Sequence, residues 1–81
     1  MALPSTPRTL AEAKALQYSE LSAAEIAAVP VTHGAVNAVA QDCMTLPPNS
    51  LCSETACVNG TKVAFYCDDT GGCTKAVIIP C

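Results

Sequence analysis

Apolar positions follow two different patterns along the chain. In the first 42 residues they are mostly alanines: eleven of the fourteen Ala lie there, and Ala is the strongest helix former. Two start signals organise this stretch. Thr9-Leu10-Ala11-Glu12 has the spacing of a capping box, in which a hydroxyl caps a free amide and a carboxylate three residues on reaches back. It predicts a helix over residues 10–18. Ser22-Ala23-Ala24-Glu25 repeats the box, with Leu21 and Ile26 at the spacing of a hydrophobic staple. The second helix is expected over 23–29, stopping before Pro30, because a residue followed by Pro avoids helical dihedrals. Isolated helices this short are marginal in water, so both need a surface to pack on. Residues 35–41, rich in Ala and Val, lean towards a third helix.

The remaining residues place Thr, Val, Asn-Gly and Gly-Gly where strands and turns want them. Val58-Asn59-Gly60-Thr61 places Asn-Gly between two β-prone runs, a strong hairpin signal. It pairs Val58 with Thr61 and Cys57 with Lys62. A strand over 61–67 leads into the turn cluster Asp68-Asp69-Thr70-Gly71-Gly72, and another follows over 73–79. A five-residue loop would set Cys67 opposite Cys73 and put Val63 and Val77 on one face. Exposure of Val77-Ile78-Ile79 would favour self-association. The expected fold is a small α+β chain: short N-terminal helices, then a Cys-rich three-stranded antiparallel meander stapled by disulfides or thioethers. Its parts are a helical segment over 1–35, a connector over 36–42 and a Cys-rich β core over 43–81.

Composition sharpens this division. All six cysteines, Cys43, Cys52, Cys57, Cys67, Cys73 and Cys81, fall after residue 42. The chain has 81 residues, no Trp, one Phe and two Tyr. A core this short of bulky fillers needs staples. A net charge of −3 with four Lys and Arg argues against a nucleic-acid binder and against a polybasic membrane patch. No apolar run approaches the ~20 residues of a membrane span.

Three chemistries compete for the cysteines. An even count in a short, turn-rich chain is the signature of a disulfide framework. Metal ligation is expected to be absent: the gaps between successive Cys are 8, 4, 9, 5 and 7 residues, none a Cys-x-x-Cys pair, and His33 beside Gly34 reads as a solvated loop residue. Thioethers are the third route, since Thr45, Ser50, Ser53, Thr55, Thr61, Thr70 and Thr74 could be dehydrated and attacked by thiolates. Turns and strands also account for each of these hydroxyls.

The layout resembles the precursor of a ribosomally synthesised, post-translationally modified peptide (a RiPP), in which a helical, Cys-free leader precedes a Cys-rich core. Leu21-Ser22-Ala23-Ala24-Glu25-Ile26-Ala27-Ala28-Val29 is similar to double-glycine-type leaders. The resemblance implies that Leu21, Ser22, Glu25, Ile26 and Val29 are gripped by a maturation enzyme and a peptidase-containing transporter. It also implies a cut after Gly34-Ala35, three residues later than the family spacing, which falls at Val31-Thr32. Cys67-Asp68-Asp69-Thr70-Gly71-Gly72-Cys73 resembles the Cys-x-x-Thr-x-x-Cys layout of some lanthipeptides. Packing alone also explains Leu, Glu and Ile at these helical spacings.

No nucleophile elbow, phosphate loop or His–Glu metal motif is present, so a non-enzyme without cofactor is expected. Asn59-Gly60-Thr61 also fits a glycosylation acceptor, although the hairpin explains it without glycan. Met1-Ala2-Leu3-Pro4 lacks a signal-peptide pattern, which implies either a signal removed and Met1 added or another export route, with the Cys-free segment itself as a candidate export or maturation tag. Two functions follow as expectations. One is the precursor of a secreted, Cys-rich bioactive peptide, antimicrobial activity being one such role. The other is a small secreted disulfide-rich structural or binding module, self-assembling as a homo-oligomer through its N-terminal helices.

Overall fold

The computed structural model describes residues 6–34, 36–37 and 42–81. In chain order the elements are α1 (Leu10–Ala15), α2 (Ala23–Thr32), β1 (Val36–Asn37), β2 (Leu51–Thr55), β3 (Thr61–Cys67) and β4 (Cys73–Pro80). The strands form one sheet in the order β1-β2-β3-β4, every neighbour antiparallel. The expected meander is β2-β3-β4, and β1 adds a short fourth strand at its edge.

Both helices start where their caps predict. The Thr9 side chain accepts from the Glu12 N–H, but the Glu12 carboxylate accepts from Arg8 rather than from Thr9. Helix α1 ends at Ala15, earlier than expected. Gln17 adopts φ 63°, and the Gln17 and Tyr18 amides donate to the Lys14 and Ala13 carbonyls. This is the Schellman arrangement, with Gln in the place usually taken by Gly. Helix α2 has the complete Ser22/Glu25 capping box. It does not stop before Pro30 as expected but runs through it to Thr32. Pro lacks the N–H that would reach the Ile26 carbonyl, and it disfavours a helical Val29. Val29 is nevertheless held helical by its place in the core, where it is 2% exposed.

The third helix expected over 35–41 is replaced at residues 36–37 by β1, which pairs with Thr55 and Glu54. Residues 35 and 38–41 lie outside the described residues. The Asn-Gly turn forms as expected. Asn59 and Gly60 take φ 54° and 81°, as a type I′ turn requires, and Val58 and Thr61 exchange two backbone bonds. The Cys57–Lys62 pair does not form. Cys57 lies outside the strands, and the ladder resumes at Glu54↔Ala64.

Between β3 and β4, Cys67 does face Cys73, but the register then slips by one residue: Tyr66 pairs with Lys75 and Val63 with Ile78. Thr74 is the extra residue of this bulge. Its hydroxyl donates to the Asp68 carboxylate, which anchors it to the turn. A one-residue slip changes the face of every later side chain. Val63 and Val77 therefore lie on opposite faces, contrary to the expected sharing.

Each face receives one helix. Val63, Phe65, Cys67, Cys52 and Ala76 pack with Val29 and Cys43. Ala64, Tyr66, Val77 and Ile79 pack with Leu10 and Ala13. In the Val77-Ile78-Ile79 run, Val77 and Ile79 are buried and Ile78 is half-buried. The run thus serves both layers instead of forming an exposed patch. The disulfides are Cys43–Cys67, Cys52–Cys73 and Cys57–Cys81. Closing loops of this length is worth about 3 kcal/mol each, offsetting a core with few large side chains.

Candidate functional site

Four residues of α2, Glu25, Ala28, Val29 and Thr32, follow the i, i+3, i+4, i+7 spacing of one helical face. Together with Leu21, His33, Val63 of β3 and Ile78 of β4 they line a groove of about 180 Å³. Its walls are mostly apolar. The polar groups sit on the helix side.

The capping box sets the chemistry of Glu25. One carboxylate oxygen, Oε1, accepts from the Ser22 N–H at 3.1 Å, and the Glu25 N–H donates to the Ser22 hydroxyl at 3.3 Å. The backbone N–H of Ser22 and then its hydroxyl hold the carboxyl below its ordinary range. His33 closes the end of the groove. Its Nδ1 lies 2.8 Å from the Thr32 hydroxyl and its Nε2 2.9 Å from the Thr61 hydroxyl. The ring therefore ties the end of α2 to the start of β3, and it is not the solvated loop residue expected.

The residues of the leader-like motif separate in space. Val29 is buried, Leu21 and Ile26 are half-buried against the sheet, and Ser22 and Glu25 are exposed. Leu21, Glu25 and Val29 meet in the groove; Ser22 and Ile26 do not line it. Gly34 is exposed at φ 75° just beyond α2, and Ala35 lies outside the described residues. Sequence reasoning missed Ala28, Thr32, His33, Val63 and Ile78. The i, i+3 and i+4 spacing from Glu25 already reaches Ala28 and Val29 inside the expected helix, and Thr32 is hidden because that helix is expected to end before Pro30.

No family model, curated protein or solved structure matches this chain.

Two other clusters have their chemistry already committed. The sulfurs of Cys43, Cys52 and Cys73 lie within 4.8 Å of one another, because two disulfides sit side by side. Their sulfurs are covalently used, and Cys52 Sγ is 3.2 Å from the Phe65 carbonyl oxygen, an unfavourable neighbour for a thiolate. In the β3–β4 turn, the Asp68 carboxylate accepts from the Thr74 and Thr70 hydroxyls and from the Gly72 and Thr70 amides. These bonds, the one from Thr74 foremost, hold it well below the usual carboxylate range. The carboxylate organises its own turn, as Asp does in such loops. Among the described residues, no helix is long and apolar enough to cross a membrane.

Proposed function

We propose that this chain is a small, secreted, non-enzymatic binding module in which the Cys-free half is part of the working fold. The observation that carries this reading is the burial of Leu10 and Ala13 on one face of the sheet and of Val29 on the other. Backbone bonds add to it. The Leu21 amide donates to Ala76, Ile78 to Ser19, and Leu51 to Arg8, so the N-terminal segment follows both β2 and β4. Three disulfides suit an oxidising compartment. Leu10, Ala13 and Val29 are turned onto the chain's own sheet, whereas Val31 of α2 is exposed.

Native-state hydrogen exchange on the full, oxidised chain tests it. In a module, the amides of Leu10, Leu21 and His33 exchange together with those of β3, at the rate set by global unfolding. Free exchange at these three amides beside a protected sheet would overturn the proposal.

A second reading, the RiPP precursor, draws on one observation: Gly34 is exposed immediately after the helix that bears the leader-like motif. In that reading the maturation enzyme or transporter must pull α2 off the sheet. Intact mass and N-terminal sequencing of the secreted product separate the two. Retention of residues 1–35 favours the module, and a product beginning near residue 36 favours the precursor.

A further inference from the structure

We propose that the groove beneath α2 binds a small primary amine carried on an apolar body, with Glu25 receiving the ammonium group and the β3–β4 wall receiving the apolar part. The inference rests on the module reading and names the ligand class.

Of the ten residues of α2 only Val29 is fully buried, and beside its contact with Val63 an open groove of about 180 Å³ runs under the helix towards Ile78. The volume is below the roughly 300 Å³ at which drug-sized sites begin, so it suits one ring or a short alkyl chain. Leu21, Ala28 and Ile78 supply its accessible apolar walls, over buried Val29 and Val63.

The polar side of the groove selects charge. Among the described lining residues Glu25 is the one carboxylate, and none is Lys or Arg. Its capping bond uses Oε1, and among the described residues none donates to Oε2. That oxygen is available to accept from an ammonium group, as a charge-assisted bond. The neighbouring polar groups are engaged with one another: both His33 ring nitrogens meet threonine hydroxyls. A carboxylate ligand would meet the Glu25 charge and a chain of net charge −3. A neutral ligand would gain the walls alone.

The test uses the full oxidised chain, labelled with ¹⁵N and titrated with 2-phenylethylamine, 2-phenylethanol and 3-phenylpropanoate. The amine should shift the amides of Leu21, Ala28, Val29, Val63 and Ile78 saturably, with a roughly millimolar Kd as expected of so small a ligand. The alcohol should bind roughly threefold to tenfold more weakly, and the carboxylate more weakly still. Glu25→Gln keeps a residue able to complete the capping box and should erase the preference for the amine over the alcohol. Ala28→Leu should fill the groove and abolish binding of both. No saturable shift, shifts centred elsewhere, or a carboxylate binding as tightly as the amine would overturn the proposal. If binding fails while the α1 and α2 amides stay protected from exchange, the ligand assignment falls and the module stands. If that protection fails as well, both fall.

Discussion

Tyr66 is where the two halves of the chain are joined by a single side chain. It is fully buried beneath α1, and its hydroxyl donates to the Pro7 carbonyl at 2.9 Å. Burial pushes its phenol up to about 12, with the charges of Glu12 and Glu54 acting in the same direction. Deprotonation is thus easier in the unfolded chain, whose phenol titrates near 10. The contribution is fully present below pH 10 and is lost as pH rises towards about 12. Spectrophotometric titration of the folded protein should show Tyr66 ionising only near that upper limit. Tyr66→Phe should cost about 1 kcal/mol in denaturant unfolding, because the Pro7 carbonyl loses its partner. An unchanged unfolding midpoint would mean that the bond is replaced by solvent and that the junction is loose.

At the scale of elements, α2 is held against its own local preference. Pro30 is exposed and belongs to neither core cluster, yet it removes the bond to the Ile26 carbonyl. Pro30→Ala should restore that bond and lengthen the stable part of the helix. The expected gain is about 1 to 2 kcal/mol: the proline penalty less the freedom the unfolded chain regains. Circular dichroism during urea unfolding measures it. A destabilised variant would show that Pro30 instead shapes the end of α2 for the His33–Thr61 contact. The opposite case is the Asn59-Gly60 turn, where local preference and tertiary structure agree: both residues occupy the left-handed region that a type I′ turn demands.

For the whole molecule, the three disulfides differ in exposure. Cys52 and Cys67 are at most 1% exposed, Cys43 is 7% exposed and Cys73 half-buried, whereas Cys81 is half-buried and its partner Cys57 exposed. Thiol exchange requires access to a sulfur. Under graded reduction with glutathione, Cys57–Cys81 should open first, and alkylation followed by peptide mapping should find Cys57 and Cys81 labelled before the other four. The sheet should survive this step, since the Cys81 amide still donates to the Gly60 carbonyl and β4 keeps its register on β3. The loss should be about 3 kcal/mol in unfolding free energy. Simultaneous opening of all three would mean that Cys43–Cys67 and Cys52–Cys73 are reached through global unfolding.

Local chemistry alone determined several features of this protein. The helix starts follow from hydroxyl caps at Thr9 and Ser22, the hairpin from Asn-Gly, the loop before β4 from an Asp-led turn, and the need for staples from six cysteines and few aromatic residues. Each depends on neighbours within a few positions, so each is legible in sequence. Tertiary structure decided the rest. The Thr74 bulge, fixed by Asp68, set which face Val77 occupies. Burial of Val29 carried α2 through Pro30 and so completed the groove-lining face. Pairing with Thr55 and Glu54 made residues 36–37 a strand. Disulfide connectivity and the meeting of His33 with Thr61 join positions 21 to 28 residues apart. No local signal encodes such separations, because they depend on how the helices cover the two sheet faces.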